Sequence, residues 1–224
     1  MGWKSIPERE FSIVPRPALS RSGPWRGGGA VWRRLQEAAI VSGMKEIDRV
    51  VVSRQRIGRR VAELAAEMSR IYAGSELVIV PVLTGSFILL ADLVRRLPMK
   101  MRVDVLAVTS YAGRVTPSHR PTIVLPGRLP LACRHVLILD DVLESGRSLE
   151  AVRRMIRRRR PASIRTCVLL RKGAARRAGL TADFIGFDIG DEFVVGYGMD
   201  FNHYYRNLPD VVTLKPEALG ESVA

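Results

Sequence analysis

Nowhere in its 224 residues does the chain stay apolar for the ~20 positions that a membrane span needs, and its start lacks the apolar core of a secretion signal. A soluble protein of the cytoplasm, off the membrane, is therefore expected. Cysteine is scarce as well. Cys133 and Cys167 each sit in or beside an apolar run, which predicts buried free thiols in a reducing compartment rather than a disulfide framework. Acidic residues are the minority charge, 22 against 36 Lys plus Arg, leaving a formal charge of +14. Such a surplus favours anionic partners, either phosphate-bearing metabolites or, nonspecifically, nucleic acid, without choosing between them. The sharpest basic cluster, Arg157 to Arg160, follows an amphipathic stretch and precedes Pro161. Cations suit the last turn of a helix, so a solvated helix end is the plain reading and an RNA-contact patch the other.

What is present suits one compact domain with a small appendage, at 47% hydrophobic. Residues 1–43, rich in proline and carrying Gly27, Gly28 and Gly29, read as a flexible N-terminal extension. Regular patterning begins at Met44, which could itself be the initiator, so the folded domain is expected over residues 44–224. From Ile57, the positions Val61, Leu64, Ala65, Met68 and Ile71 recur at helical spacing. Leu77 to Leu83 reads as a strand, Thr84-Gly85 as a tight turn, and Phe87 to Leu97 as a helix. Val103 to Thr109 is β-rich, and residues 112–130 form a Gly- and Pro-containing loop of the length often seen in active-site lids, with a short hairpin around Thr122 to Leu125. Val136 to Leu139 is a wholly apolar strand, Ser148 to Arg159 a helix, and Ile164 to Leu170 a strand again. This alternation predicts an α/β fold with a mostly parallel central sheet flanked by helices, whose ligands lie beyond the carboxyl ends of the strands.

At one such end stands Asp140-Asp141-Val142-Leu143-Glu144-Ser145-Gly146-Arg147-Ser148. While the chain stays extended only one of the two aspartates can point to the core side, and a pair at the strand's mouth can accept sugar hydroxyls or hold Mg²⁺. An acidic N-cap for the next helix is the purely structural account. Gly146 lets backbone N–H groups converge, Ser145 and Ser148 add hydroxyls, and a helix N-terminus attracts a dianion, so phosphate is the expected occupant. The chain offers neither the Gly-x-x-x-x-Gly-Lys-Ser/Thr loop nor a Gly-x-Gly-x-x-Gly turn at this place.

This pattern of a hydrophobic strand, two acids, two apolar residues, an acid, Ser, Gly, any residue and Ser resembles the ribose-5-phosphate loop of the type I phosphoribosyltransferases. Asp191 to Asp200, continued by Tyr204-Tyr205-Arg206-Asn207-Leu208-Pro209, is similar to the purine site of the hypoxanthine-guanine members. The likeness runs from about residue 47 to 216, and implies the type I fold with a small C-terminal hood. It implies transfer of a 5-phosphoribosyl group to hypoxanthine or guanine with Mg²⁺, in a homodimer or homotetramer that needs no specific nucleic acid. Asp140, Asp141, Glu144, Ser145, Gly146, Arg147 and Ser148 would hold the ribose phosphate, and Thr84, Gly85 and Arg206 the pyrophosphate. Phe193 would stack on the purine, Val194 would offer backbone groups to its edge, and Lys172 would donate to its exocyclic oxygen. Asp200 would lie near the base pocket and join Asp140 and Asp141 as a metal carboxylate. Ser110 and Tyr111 would stand at the start of the lid, and Glu144 would be the catalytic acid-base group.

Without the resemblance, Phe193 reads as a core aromatic, Lys172 as a strand-end lysine and Arg206 as a surface charge. Two positions depart from the family pattern, with Glu144 where aspartate is usual and Thr84 where lysine is common. The same turn and net charge also suit a xanthine-preferring enzyme, or an RNA-binding regulator of pyrimidine operons on the same fold.

Overall fold

In a computed structural model of the chain, described over residues 44–109, 122–125 and 129–220, parallel strands form the centre. The expected extension over residues 1–43 and the lid positions Ser110 and Tyr111 lie outside the described residues. The elements run β1 (Ile47–Val52), α1 (Arg54–Ile71), β2 (Leu77–Leu83), α2 (Phe87–Val94), β3 (Met101–Val103), β4 (Leu106–Thr109) and β5 (Thr122–Leu125). They continue with β6 (His135–Leu143), α3 (Arg147–Arg157), β7 (Ser163–Arg171), α4 (Gly173–Arg177), β8 (Phe184–Asp188), β9 (Val211–Leu214) and α5 (Pro216–Gly220).

The main sheet has the order β5-β4-β2-β6-β7-β8, with β3 also paired to β2. All its pairings are parallel except β4 with β5, so Thr122 to Leu125 pairs with the strand before the loop and not within a short hairpin of its own. Because side chains alternate along a strand, β2 and β6 feed two separate cores. Leu77, Ile79, Leu137 and Leu139 meet α1 through Ile57, Val61, Leu64 and Met68, together with Leu89 and Leu93 of α2. Val78, Val80, Val136 and Ile138 meet Leu149, Val152 and Ile156 of α3 on the opposite face. Burial on both faces explains why these strands are apolar throughout.

Pro81 in a central strand looks out of place, since it donates no backbone hydrogen bond. Its neighbour is interrupted at that level. β3 pairs with Leu77 to Ile79 and β4 with Val82 and Leu83. The expected single strand over Val103 to Thr109 is thus two, separated where Asp104 turns inward and accepts from Leu129 N at 3.1 Å.

Four further expectations are corrected. Ile71 is 39% exposed at the end of α1, and Tyr72 takes the inward place. α2 stops at Val94 rather than Leu97, and Cys133 is exposed while Cys167 is buried. The strand expected to stop at Leu139 continues to Leu143, so both aspartates lie inside β6. The expected C-terminal hood takes in the first strand as well: β1 pairs antiparallel with β9, and Val195, Leu208, Val212 and Leu214 form its core with Met44 and Ile47 packed against them.

Candidate active site

Three loops meet at the carboxyl ends of β2 and β6, around a cleft of about 410 Å³. Its lining includes Thr84 and Gly85 after β2, the stretch from Asp140 to Gly146 with Ser148, and Asp200 and Arg206 from the hood. Most of the sugar and pyrophosphate residues expected from the sequence therefore converge. Arg147 belongs to the same turn without lining the cleft.

β6 sets the two acids by alternation. Asp140 is buried and Asp141 half-buried, with the Asp141 N–H donating to Asp140 Oδ1 at 3.0 Å. Burial and then the neighbouring Asp141 charge push Asp140 well above the usual carboxylate range. Asp141 is raised by burial too, with its hydrogen bonds and the Arg206 charge opposing. Among the described residues, no Lys or Arg forms an ion pair with either acid. A cation or a set of hydroxyl donors would relieve this pair.

The Leu83–Thr84 peptide is cis. Gly85 is needed for space: a Cβ there would overlap the Asp141 carboxylate, so the turn after β2 rests directly on the acid pair. Ser86 is fully buried and donates to Val82 O at 2.7 Å, which fastens that turn to the strand it leaves.

Beyond the acids, Gly146 adopts φ 71° as the N-cap of α3, a left-handed conformation that suits glycine, and Glu150 N donates to its carbonyl at 2.9 Å. The result is a helix N-terminus directed by a tight turn at the cleft, the arrangement that favours an anion.

From the hood, Arg206 forms an ion pair with Asp200 at 2.7 Å and donates to Gly198 O at 2.7 Å. Asp200 Oδ2 also accepts from His203 N at 2.9 Å. Asp200 is thus already neutralised by a neighbour, unlike Asp140 and Asp141.

The purine residues are arranged differently. Lys172, Phe193 and Val194 are not among the residues that line the cleft. Lys172 has a side chain only 8% exposed and reaches Glu144 Oε1 at 3.2 Å, and its N–H donates to Leu143 O at 3.0 Å. Val194 is buried, whereas Phe193 is 42% exposed and packs edge-on against Phe201 with ring centroids 5.7 Å apart. The core reading of Phe193 is therefore corrected, since its neighbours Val194 and Val195 take the buried places.

Two residues were missed by sequence reasoning. Asp191 accepts from Ala174 N at 2.6 Å and pairs with Arg177 at 2.6 Å, joining the turn at Lys172 to the segment that carries Phe193. The Arg177 hydrogen bond, followed by that of Ala174 N, holds its carboxyl below the usual range. Gly198 packs against Gly85 so closely that a Cβ would overlap the Gly85 carbonyl. Only its place in a Gly-Tyr-Gly triplet hinted at a tight approach.

A parallel sheet with a phosphate-type turn at its mouth and a small hood above it defines a domain built to handle a phosphorylated sugar. The family model described as the phosphoribosyl transferase domain matches residues 51–202, and the chain belongs to that family. Its resemblance within the family is to the hypoxanthine-guanine members. It is 34% identical over 171 residues to the hypoxanthine-guanine phosphoribosyltransferase of Bacillus subtilis (strain 168), covering 76% of this chain and 95% of that protein. A crystal structure of a hypoxanthine phosphoribosyltransferase from Staphylococcus aureus matches with a TM-score of 0.72 and 34% identity, covering 77% of this chain and 94% of that one. The bifunctional protein TilS/HprT of Listeria innocua serovar 6a is 34% identical over 218 residues, 97% of this chain. The chain spans about a third of that relative's length, 32%.

Proposed function

We propose that the chain transfers the 5-phosphoribosyl group of 5-phosphoribosyl 1-pyrophosphate to N9 of hypoxanthine or guanine, giving the nucleoside monophosphate and pyrophosphate. The observation that carries this reading is the meeting of Thr84-Gly85, the acidic turn of β6 and Arg206 in one cleft. The 5-phosphate belongs at the turn from Glu144 to Ser148, before the N-terminus of α3. The ribose hydroxyls belong at Asp140 and Asp141. The leaving pyrophosphate belongs over Thr84 and Gly85, with the forked donors of Arg206 suited to its oxygens.

In the reaction the bond from the anomeric carbon to pyrophosphate breaks and the bond to N9 forms. Positive charge developing on the ribose is tolerated beside the carboxylates. Glu144 serves N7 as proton acceptor or hydrogen-bond partner, Lys172 reads the exocyclic oxygen, Phe193 stacks on the ring and Val194 presents its backbone to the base edge. Ser110 and Tyr111 belong to the lid that excludes water.

The acid pair fits Mg²⁺, which is usually held by one or two carboxylates with substrate phosphates completing its shell. Asp140 and Asp141 would hold it, with Asp200 also lining the cleft. When bound, it neutralises the pyrophosphate leaving group. The folded transferase domain spans residues 44–224 in this reading, as a homodimer or homotetramer in the cytoplasm. The net charge of +14 supports capture of the polyanionic sugar diphosphate.

A steady-state assay of hypoxanthine, guanine and xanthine, each with 5-phosphoribosyl 1-pyrophosphate and Mg²⁺, tests the reading. Turnover of hypoxanthine and guanine above xanthine is expected, and chelation of Mg²⁺ should abolish it. Absence of nucleotide product with all three bases would reject the function.

A further inference from the structure

Tyr197 occupies a conformation that aromatic residues avoid. The strands around it close in a tight hairpin, with Gly196 N donating to Met199 O and Met199 N to Gly196 O, both at 3.0 Å. Its two central residues, Tyr197 at φ 50° and Gly198 at φ 102°, are both left-handed. Turns of this kind normally take Asn, Asp or Gly, and a bulky side chain at positive φ persists only where its surroundings hold it.

The hold on Tyr197 is specific. Its ring is buried in the core beneath α1 and α2, and its hydroxyl donates to Asp92 Oδ2 at 2.7 Å. Asp92 lies on α2, the helix that begins directly after the Thr84-Gly85-Ser86 turn. Arg95 pairs with the same carboxylate, and Arg96 donates to the Asp92 carbonyl at 2.7 Å. The phenol therefore donates to a carboxylate flanked by cations, a charge-assisted bond stronger than a neutral one. Burial and the Asp92 contact push the phenol well above its usual pKa, so it stays a donor.

The next residue shows what this anchor serves. Gly198 lies against the Gly85 carbonyl, its own carbonyl accepts from Arg206 Nη1 at 2.7 Å, and its N–H donates to Arg206 O at 3.0 Å. Gly85 and Arg206 both line the cleft. Gly198, in the turn that Tyr197 pins to α2, touches both.

We propose that Tyr197 and Asp92 are positioning residues for the pyrophosphate end of the site: their hydrogen bond sets Gly198 against Gly85 and thereby fixes the spacing between that turn and Arg206. This inference rests on the transferase reading above. Neither side chain lines the cleft, so the effect passes through Gly198.

The test uses the full chain with Tyr197→Phe, which keeps the ring and removes the hydroxyl. The KM for 5-phosphoribosyl 1-pyrophosphate and the inhibition constant of inorganic pyrophosphate should both rise about tenfold, as expected for one lost charge-assisted bond. The KM for hypoxanthine should change less than about twofold. Asp92→Ala, on a partly exposed helix face, should reproduce the effect without disturbing the core, whereas Asp92→Asn keeps an acceptor and should retain most of the affinity. Unchanged pyrophosphate constants in Tyr197→Phe and Asp92→Ala, with an active wild type, would overturn the positioning role while leaving the transferase reading intact. A fall in kcat alone, tracking a lower folded fraction, would overturn it too. A wild-type chain that neither turns over nor binds pyrophosphate would reject the transferase reading and this inference with it.

Discussion

Glu144 and Thr84 are the two residues whose side chains set this site apart from the pattern it resembles. With one methylene more than aspartate, Glu144 reaches Lys172 Nζ at 3.2 Å, so the proposed acid-base group and the proposed reader of the purine oxygen are paired before any base arrives. Replacing it by Gln removes the proton acceptor while keeping the length. Glu144→Gln is expected to lower kcat by about 100-fold or more, the usual worth of a positioned acid-base group, with the KM for 5-phosphoribosyl 1-pyrophosphate nearly unchanged. Equal losses in kcat and in sugar-diphosphate affinity would sink the role. At the cleft's other wall Thr84 supplies no positive charge, and Thr84→Lys is expected to lower the KM for 5-phosphoribosyl 1-pyrophosphate. A constant that failed to fall would show that the threonine costs no affinity. The acids and glycines of the central turn were legible because few other structures need that combination of residues. Phe193 and Cys133 were not, because an apolar residue in an apolar neighbourhood gives no sign of which member faces out.

The element that carries the acid pair is β6. Its apolar half, Val136 to Leu139, was readable as a buried strand, but aspartates ordinarily end strands and its true end was not. Pairing with β7 carries it onward through Asp140↔Val168, Val142↔Leu170 and Leu143↔Arg171. The consequence is an acid pair built into the sheet, where burial raises both carboxyls and the Asp141 charge raises Asp140 further. A buried acid whose folded pKa is raised lowers stability as pH climbs from the ordinary carboxylate range through the raised value. Asp140→Asn keeps the acceptor for Asp141 N and removes the charge. The free variant is therefore expected to melt a few degrees above wild type at neutral pH, about 1 kcal/mol, with the gap closing as pH falls toward ~4. Its affinity for 5-phosphoribosyl 1-pyrophosphate with Mg²⁺ should fall at least about tenfold by direct titration. A variant that melted lower yet bound as tightly would show that the pair supports the fold instead of the ligand.

At the scale of the molecule, the first and last described strands close the structure together. Thr213 of β9 donates to Asp48 of β1 at 3.1 Å, and Lys215 N donates to Glu46 O at 2.8 Å. Each strand is a short run that a local pattern leaves ambiguous, and nothing within either names a partner on the far side of the chain. The sheet was legible because its strands and helices alternate in order, whereas the hood depends on this long-range closure. Asp210, just before β9, links it to the main body. Buried to 4% exposure, its Oδ1 accepts from Arg54 N in the first turn of α1 at 2.7 Å. A carboxylate there satisfies an N–H that the helix itself leaves without an acceptor, and it complements the positive end of the helix dipole. Asp210→Ala leaves that part-buried donor without its carboxylate and is expected to cost about 1 kcal/mol, read as a lower urea midpoint at unchanged slope. Because Gly196 packs against the Asp210 carbonyl, looseness at this residue should also reach the turn that holds Arg206. The KM for 5-phosphoribosyl 1-pyrophosphate should therefore rise in the folded variant. An unchanged midpoint would mean that β1 and β9 hold the hood on α1 without this contact.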